Sequence, residues 1–562
     1  MIGARLAAFQ PLMPAEAEVV AALQSGDFDR IGAGSRPAAD DMSRAVRAEL
    51  LRFLLLGGEE GARPHEKGIR VRGAYVIGIL DLEGCRIPRD IGLRDCRFEH
   101  TPVLQSAIID NLFLDGSVVP GLKADRLEAR GTVSIQDAAI AGSISLNGAR
   151  LGGNLDCDRS VIAASGVMAI QAEDIEARGI LLRSAEVRGR VRFSGARLTA
   201  DLDCVNLHIQ NAGDIAIDAG AIETRGSVVL RGAEIKGDVR LVSARIDGDL
   251  DAADVTISSK DRFALQLNNA VVRGAFFLKG RARIEGALDL RGATLGTIQD
   301  AAECWPGKGD LLLNRCLYQA FIGGPADTAS RLRWLALQTP ERWGEDFWPQ
   351  PYEQLATVFR EMGHDEEARA VLIARERLQR RARRERETNP VLRALLKVSD
   401  VVLAVTVLYG RQPLLAFAWL LLFWLIGVGV FHAALENAAL KPNSAVVLRS
   451  TEWILCGVPK TETRFLVAVR QDLQGLAEPG QAQLDCFLAR PEADSYPAFN
   501  PWMYSLETLF PVLEIDQKTF WRPDPSKPGG GLALFFFYFQ STVGWILSLL
   551  AVAGFSGLVK SQ

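Results

Sequence analysis

Five aspartates, Asp81, Asp156, Asp203, Asp251 and Asp289, each stand between two apolar residues at spacing two. Carboxylates set outward at intervals along one wall could serve as the paired acids of polysaccharide hydrolysis or elimination. No aromatic sugar platform accompanies them, and outward arginines are abundant, so a solvated, ion-paired column is the simpler expectation. Cys85, Cys96 and Cys316 take a position otherwise held by alanine, and Cys157 and Cys204 an apolar one, as small core residues do. No CxxC, HExxH, GxSxG or GxxxxGK[ST] occurs. Gly32-Ala33-Gly34 is followed by Pro37 where a dinucleotide loop needs its third glycine. No catalytic, cofactor-binding or metal-ligating residue is assigned, and the reading leans away from an enzyme.

Two other constellations concern a membrane. Trp502, Tyr504 and Trp521 bracket YSLETLFPVLEIDQKTFW, which also carries Glu507, Glu514 and Asp516. Such a stretch either re-enters the bilayer as a pore helix or lies in the interface with its aromatic rings at headgroup level. Arg375, Arg377, Arg380, Arg381, Arg383, Arg384 and Arg386 crowd one short run. Near an anionic inner leaflet, each such residue would contribute about 1 kcal/mol of lipid attraction.

The elements that position these residues follow from periodicity. Units such as GSISLNGARLG from Gly142 and GDVRLVSARID from Gly237 repeat every 10 to 11 residues. Within a unit, positions 3, 5 and 10 are apolar and position 8 is small, as at Ile144, Leu146, Leu151 and Ala149. Alternation at spacing two marks a short strand, and the break to spacing three marks a corner. The pattern predicts a mainly β chain whose residues 68–322 form a parallel β-helix solenoid of about eleven coils, about 22 residues each and about 50 Å in all. Longer spacings near Ala164–Gly166, Asn211–Asp214 and Ser258–Arg262 predict loops extruded from one candidate binding face.

The flanks read as helical. Residues 1–67 form an N-terminal cap, with a helix over Ala39–Leu56 ending at Gly57-Gly58. Residues 323–397 hold a helical hairpin turning at Gly363-His364-Asp365, then the arginine-rich juxtamembrane helix. Gln412–Leu435 and Gly531–Val559 lack Asp, Glu, Lys and Arg and are long enough to cross a bilayer. They lie in a first transmembrane region, 398–436, and a second transmembrane helix, 531–560. Ser399–Gly410 is too short to cross and either lies in the interface or lengthens the first helix. The basic flank places the N-terminal 410 residues and the C-terminus in the cytoplasm, and residues 437–530 outside. Cys456 and Cys486 are the only cysteines of the outer segment, so compartment allows a disulfide there.

The net charge of −4 over 562 residues argues against a nucleic-acid partner. The solenoid region balances 31 Lys and Arg against 33 Asp and Glu, which argues against an acidic DNA mimic. The segments VRAELLRFLLLGG, GIRVRGAYVIGILDL, PQPYEQLATVFREMGHDEEARAVLIARE, LYGRQPLLAFAWLL, YSLETLFPVLEIDQKTFWRP and GWILSLLAVAGFSGL occur in that order. Together they resemble an uncharacterised bacterial family of two-span membrane proteins with a pentapeptide-like β-helix, often labelled membrane-associated oxidoreductase. The resemblance implies an inner-membrane, multi-pass architecture and not an activity; no nucleotide loop, haem motif or redox cysteine pair in these residues supports the oxidoreductase label. Three functions are carried forward. The first is a membrane-anchored β-helix scaffold or sensor with a protein partner on its wall. The second is a homo-oligomeric two-span channel or membrane effector gated by the β-helix, and the third is the oxidoreductase of the label.

Overall fold

The computed structural model describes residues 5–409, 412, 414–510 and 512–555. It divides into two units, Met1–Arg375 and Glu376–Gln562.

The first unit is a parallel β-solenoid of about eleven coils. One coil runs through four short strands, Glu128–Ala129, Val133–Ser134, Ala139–Ile140 and Ile144–Ser145, here called the first to fourth walls. Arg150 then stacks on Glu128, 22 residues later, in parallel register. Inward side chains such as Val133, Ile140, Ile144 and Leu146 are buried; full burial of a Leu or Ile contributes about 1.5–3 kcal/mol. Corners recur at residues with positive φ, in succession Arg126, Asp137, Gly148 and Arg159. Polar residues that tolerate the left-handed region fill many of them. Stacking adds a second constraint: a side chain on Gly232 would collide with the Asn206 carboxamide of the coil below.

Corner spacing widens from 11 to 15 residues at Arg159–Asp174, Asn206–Ala221 and Asp254–Asn269. The added residues lie between the third and fourth walls, inside continuous strands Val161–Gln171, His208–Asp218 and Thr256–Gln266. The expected extruded loops are therefore bulges, marked by register shifts at Ala163/Met168, Gln210/Ile215 and Ser258/Phe263. They do share one face.

Both solenoid ends are covered, as unpaired strand edges require. At the start lie helices α1 (Pro14–Ala22) and α2 (Ala48–Leu55). The helix expected over Ala39–Leu56 is shorter, because Ala45–Arg47 instead pairs with Tyr75–Ile77 and closes the first coil. Asp29–Arg30 likewise pairs with Val71–Arg72. Fully buried Glu16 accepts from the Arg47 guanidinium at 2.6 and 2.7 Å and from the Met13 and Arg47 amides at 2.9 Å. Burial pushes its carboxyl up, but those bonds outweigh burial and hold it below the ordinary value.

At the far end lie α3 (Thr328–Leu335), α4 (Gln350–Glu361) and α5 (Asp365–Arg386). Gln350 donates to the Cys316 carbonyl and accepts from the Arg315 amide, and Gln354 donates to the Tyr318 carbonyl. Side chains thus satisfy backbone groups that no further coil would meet. Arg331, 0% exposed, pairs with Asp300 at 2.6 and 2.8 Å and stacks 3.5 Å over Phe321, while Trp305 Nε1 donates to the same carboxylate. The α4–α5 hairpin packs Leu355, Val358, Phe359, Ala368 and Val371 into the solenoid core, so it is a cap.

The second unit contains α6 (Pro390–Val407), α7 (Leu414–Glu436), four short helices α8 (Ala445–Leu448), α9 (Thr451–Leu455), α10 (Gln483–Leu488) and α12 (Gln517–Phe520), α11 (Pro501–Leu509) and α13 (Gly530–Phe555). Two helices, Leu414–Glu436 and Gly530–Ala553, are long and apolar enough to cross a membrane. The piece expected at Ser399–Gly410 belongs to α6, which ends at Leu408 and Tyr409, both with positive φ; Gly410 lies outside the described residues. Leu440–Pro442 pairs antiparallel with Trp521–Pro523, so both ends of the inter-helix segment meet.

Candidate functional site

On the first wall, one outward position alternates in sign over six coils: Glu128, Arg150, Glu176, Arg197, Glu223 and Arg245 stack in register. Their guanidinium and carboxylate groups pair across coils, Arg150–Glu176 at 3.7 Å, Arg197–Glu176 at 3.4 Å and Arg245–Glu223 at 3.3 Å. Beside this ladder, at the corner toward the second wall, runs an open groove of about 640 Å³. Arg178, Thr199, Arg225 and Asp247 form its far rim, with buried Ala177, Leu198 and Thr224 beneath. Asp247 is held by Arg273 at 2.8 Å. The exposed guanidinium groups of Arg178 and Arg225 have no ion-pair partner among the described residues. Two coil steps place them about 10 Å apart along the wall.

Sequence reading missed this groove. The signal was the alternation of Arg and Glu at the ninth position of every second unit. The expected binding face, that of the bulges, lies between the third and fourth walls, at the diagonally opposite corner of the coil.

The five aspartates do not share a wall. Asp156, Asp203 and Asp251 occupy the second wall on alternate coils. Asp81 and Asp289 occupy the fourth, the wall of Lys123 and Leu312. Arg231 holds Asp251, Arg291 holds Asp289, and Gln136 donates to Asp156. Burial raises the Asp156 carboxyl, with Asp158 close by adding to the effect. No two of these carboxylates face each other as an acid and base pair.

Buried thiols line the core: burial pushes Cys96 and Cys316 up to about 12, and raises Cys157 and Cys204 further. Thiol groups so placed are packing residues at neutral pH. Cys85 is half-buried. Among the described residues no group of three or more His, Cys, Asp or Glu side chains gathers as a metal set.

In the second unit, α11 packs between α7 and α13. Ser505 Oγ donates to the Trp424 carbonyl at 2.8 Å, and Gln540 Nε2 donates to Ser505 Oγ at 2.8 Å. Gly427 makes room for Ser505 and Gln540, and Gly544 for the Leu509 carbonyl; a side chain at either would clash. Gly544 lies about 21 Å along α13 from Gly530, so α11 reaches the middle of the helix pair. Glu507, 1% exposed, accepts from the Lys518 amide at 2.9 Å and pairs with Lys518 Nζ at 4.0 Å. Glu514 is exposed, and Asp516 sits at a positive-φ turn preceding α12.

Tyr504 and Trp521 are buried in protein, against Phe431, Phe499 and Tyr496. Packing takes the rings of Tyr504 and Trp521 inward, and of the three aromatic residues only Trp502 is exposed. Cys456 and Cys486 are joined in a disulfide.

The arginine run is also redistributed. Arg375 is buried in the first unit and pairs with Glu353 at 2.6 Å, so it contacts no lipid. Arg380 and Arg384 both grip Asp400, and Arg380 also pairs with Glu376. Arg381 pairs with Glu385 at 2.8 Å. Exposed Arg377 and Arg383 have no ion-pair partner among the described residues, and Arg386 is exposed. Of the seven arginines, Arg377, Arg381, Arg383 and Arg386 are exposed, while Arg375, Arg380 and Arg384 are drawn against Glu353 and Asp400.

No family model, curated protein or solved structure matches the chain.

Proposed function

We propose that the protein is a membrane-anchored β-solenoid scaffold whose first-wall groove binds an acidic segment of a partner protein. The observation that carries the reading is the unpaired pair, Arg178 and Arg225, in a groove where neighbouring ladder charges are neutralised. A partner carboxylate there meets attraction without displacing an existing ion pair. The two apolar helices supply the anchor in a bacterial inner membrane. The basic residues Arg377, Arg383, Arg393 and Lys397 before α7 favour a cytoplasmic solenoid. The Cys456–Cys486 disulfide supports an oxidising compartment for the inter-helix segment.

The test uses the full chain in nanodiscs and a fluorescent oligoglutamate peptide. Saturable anisotropy change that weakens with salt is expected, and Arg178→Glu with Arg225→Glu should weaken it by about tenfold. Equal binding by that variant and by Arg159→Glu, at the corner between the second and third walls, would overturn the groove assignment.

A second reading, an oligomeric two-span channel, rests on α11 reaching mid-depth between α7 and α13. It predicts a nanodisc particle of three or more chains with measurable conductance. A monomeric or dimeric particle without conductance would remove it.

A further inference from the structure

Helix α6 presents an apolar stripe that none of the described residues of its own unit covers. Val391, Leu395, Val398, Val402 and Val405 recur at alternating steps of four and three, and all are exposed, Val398 by 62%. The opposite face is the packed one: Leu403 joins the Ala416–Ala551 cluster, and Asp400 is buried against α5. Asp400 is the only acidic residue of α6, and Arg380 and Arg384 neutralise it together. Away from the stripe, on the polar side of the helix, stand exposed Lys397 and Arg393, whose guanidinium donates to the Glu387 carbonyl. A helix with its apolar face outward and its polar face packed is inverted for water. The chain then continues through the turn at Leu408 and Tyr409 into α7, where Leu414 and Leu421 are likewise exposed.

We infer that α6 is an in-plane membrane helix that seats its Val391–Val405 stripe among acyl chains and binds anionic lipid headgroups through Arg393 and Lys397, with Arg377 and Arg383 of α5 adding to the basic surface. The occupant is lipid because the next helix in the chain, α7, is suited to cross the bilayer, and because the exposed charges of α6, Arg393 and Lys397, are of one sign. Neutralising Asp400 internally removes the one negative charge of α6 that an anionic surface would repel. Helix α6 then joins the spans as a third membrane element, one that responds to lipid charge. This inference rests on the membrane reading above.

The experiment places a nitroxide at Val398→Cys in the full chain, in a Cys85→Ser background, reconstituted in nanodiscs with or without phosphatidylglycerol. Collision with oxygen and protection from a water-soluble nickel chelate are expected, as for a label at Leu421→Cys in α7. Protection should deepen with phosphatidylglycerol, and Arg393→Glu with Lys397→Glu should abolish that dependence; each charge near an anionic surface changes partition by about fivefold. Strong chelate access at residue 398 with protection at 421 would overturn this inference and leave the membrane reading intact. Chelate access at both would sink the membrane reading. Exclusion of both relaxing agents with dipolar broadening would show a second copy of the chain on the stripe and overturn the lipid assignment.

Discussion

On the solenoid, Glu176 and Arg197 face outward on adjacent coils while Ala177 and Leu198 beside them are buried. In the helical unit, Ser505 and Gln540 are buried and bonded to one another while Leu421, Val398 and Leu549 are exposed. Under the membrane proposal the two regions suit different surroundings. Water stabilises outward charge and makes each exposed ion pair nearly neutral in energy. An apolar surrounding rewards outward Leu and Val, and it requires every inward polar group to find a partner. The same distinction separates the ionic features. Exposed ladder pairs lie on the solenoid surface, where each adds little to stability, whereas Arg331–Asp300 and Arg47–Glu16 lock its ends.

The comparison can be broken most sharply at the caps. Arg331→Ala strands Asp300 in the core and should cost about 3–5 kcal/mol, read as a lower denaturant midpoint of the solenoid transition. An unchanged midpoint would show that the end lock carries no stability. In the helical unit the corresponding lesion is steric. Gly544→Val drives a side chain into the Leu509 carbonyl and should cost about 1–3 kcal/mol, with faster amide exchange over residues 501–509 as the readout. Unaltered exchange there would contradict the close packing of α11.

A pH series sharpens the contrast within the solenoid. Glu16 has its carboxyl held below the ordinary value of 4.5. Its stabilisation is therefore fully present above that ordinary value and is lost as pH falls through the folded value. Glu16→Gln should destabilise by about 1.5 kcal/mol at neutral pH, and the gap to wild type should narrow in acid. A gap that widens in acid would reverse the sign of the argument. The smallest effect belongs to the ladder: Glu176→Ala should change stability by about 0.5 kcal/mol or less in urea unfolding, while altering oligoglutamate binding at the groove. A large stability loss would mean that the ladder is structural.

Much of the architecture is legible without coordinates because it is local. The ten-to-eleven-residue period at Gly142 or Gly237 states strand, corner and inward face within a few residues. The apolar runs before Glu436 and after Gly530 are likewise self-contained. The α4–α5 turn at Gly363-His364-Asp365 falls between helices ending at Glu361 and starting at Asp365. Where the reading failed, a partner distant in sequence intervened. Ala45–Arg47 is strand because the first coil's Tyr75–Ile77 lies open beside it. Arg375 is buried because Glu353, one helix earlier, claims it.

The groove belongs to that second category. Each Arg and Glu of the ladder is plain in the sequence, yet which one stacks on which depends on coil length, and coil length changes by the bulges at Ala163, Gln210 and Ser258. By itself the sequence determined a solenoid, its caps and two apolar helices, because steric corner preferences and hydrophobic spacing act over neighbouring residues. Only the tertiary structure decided that Arg178 and Arg225 line one groove without an ion-pair partner among the described residues, that Tyr504 and Trp521 turn inward, and that the α6 stripe turns outward. Those outcomes depend on which surfaces remain after distant elements have packed, a quantity that no local pattern contains.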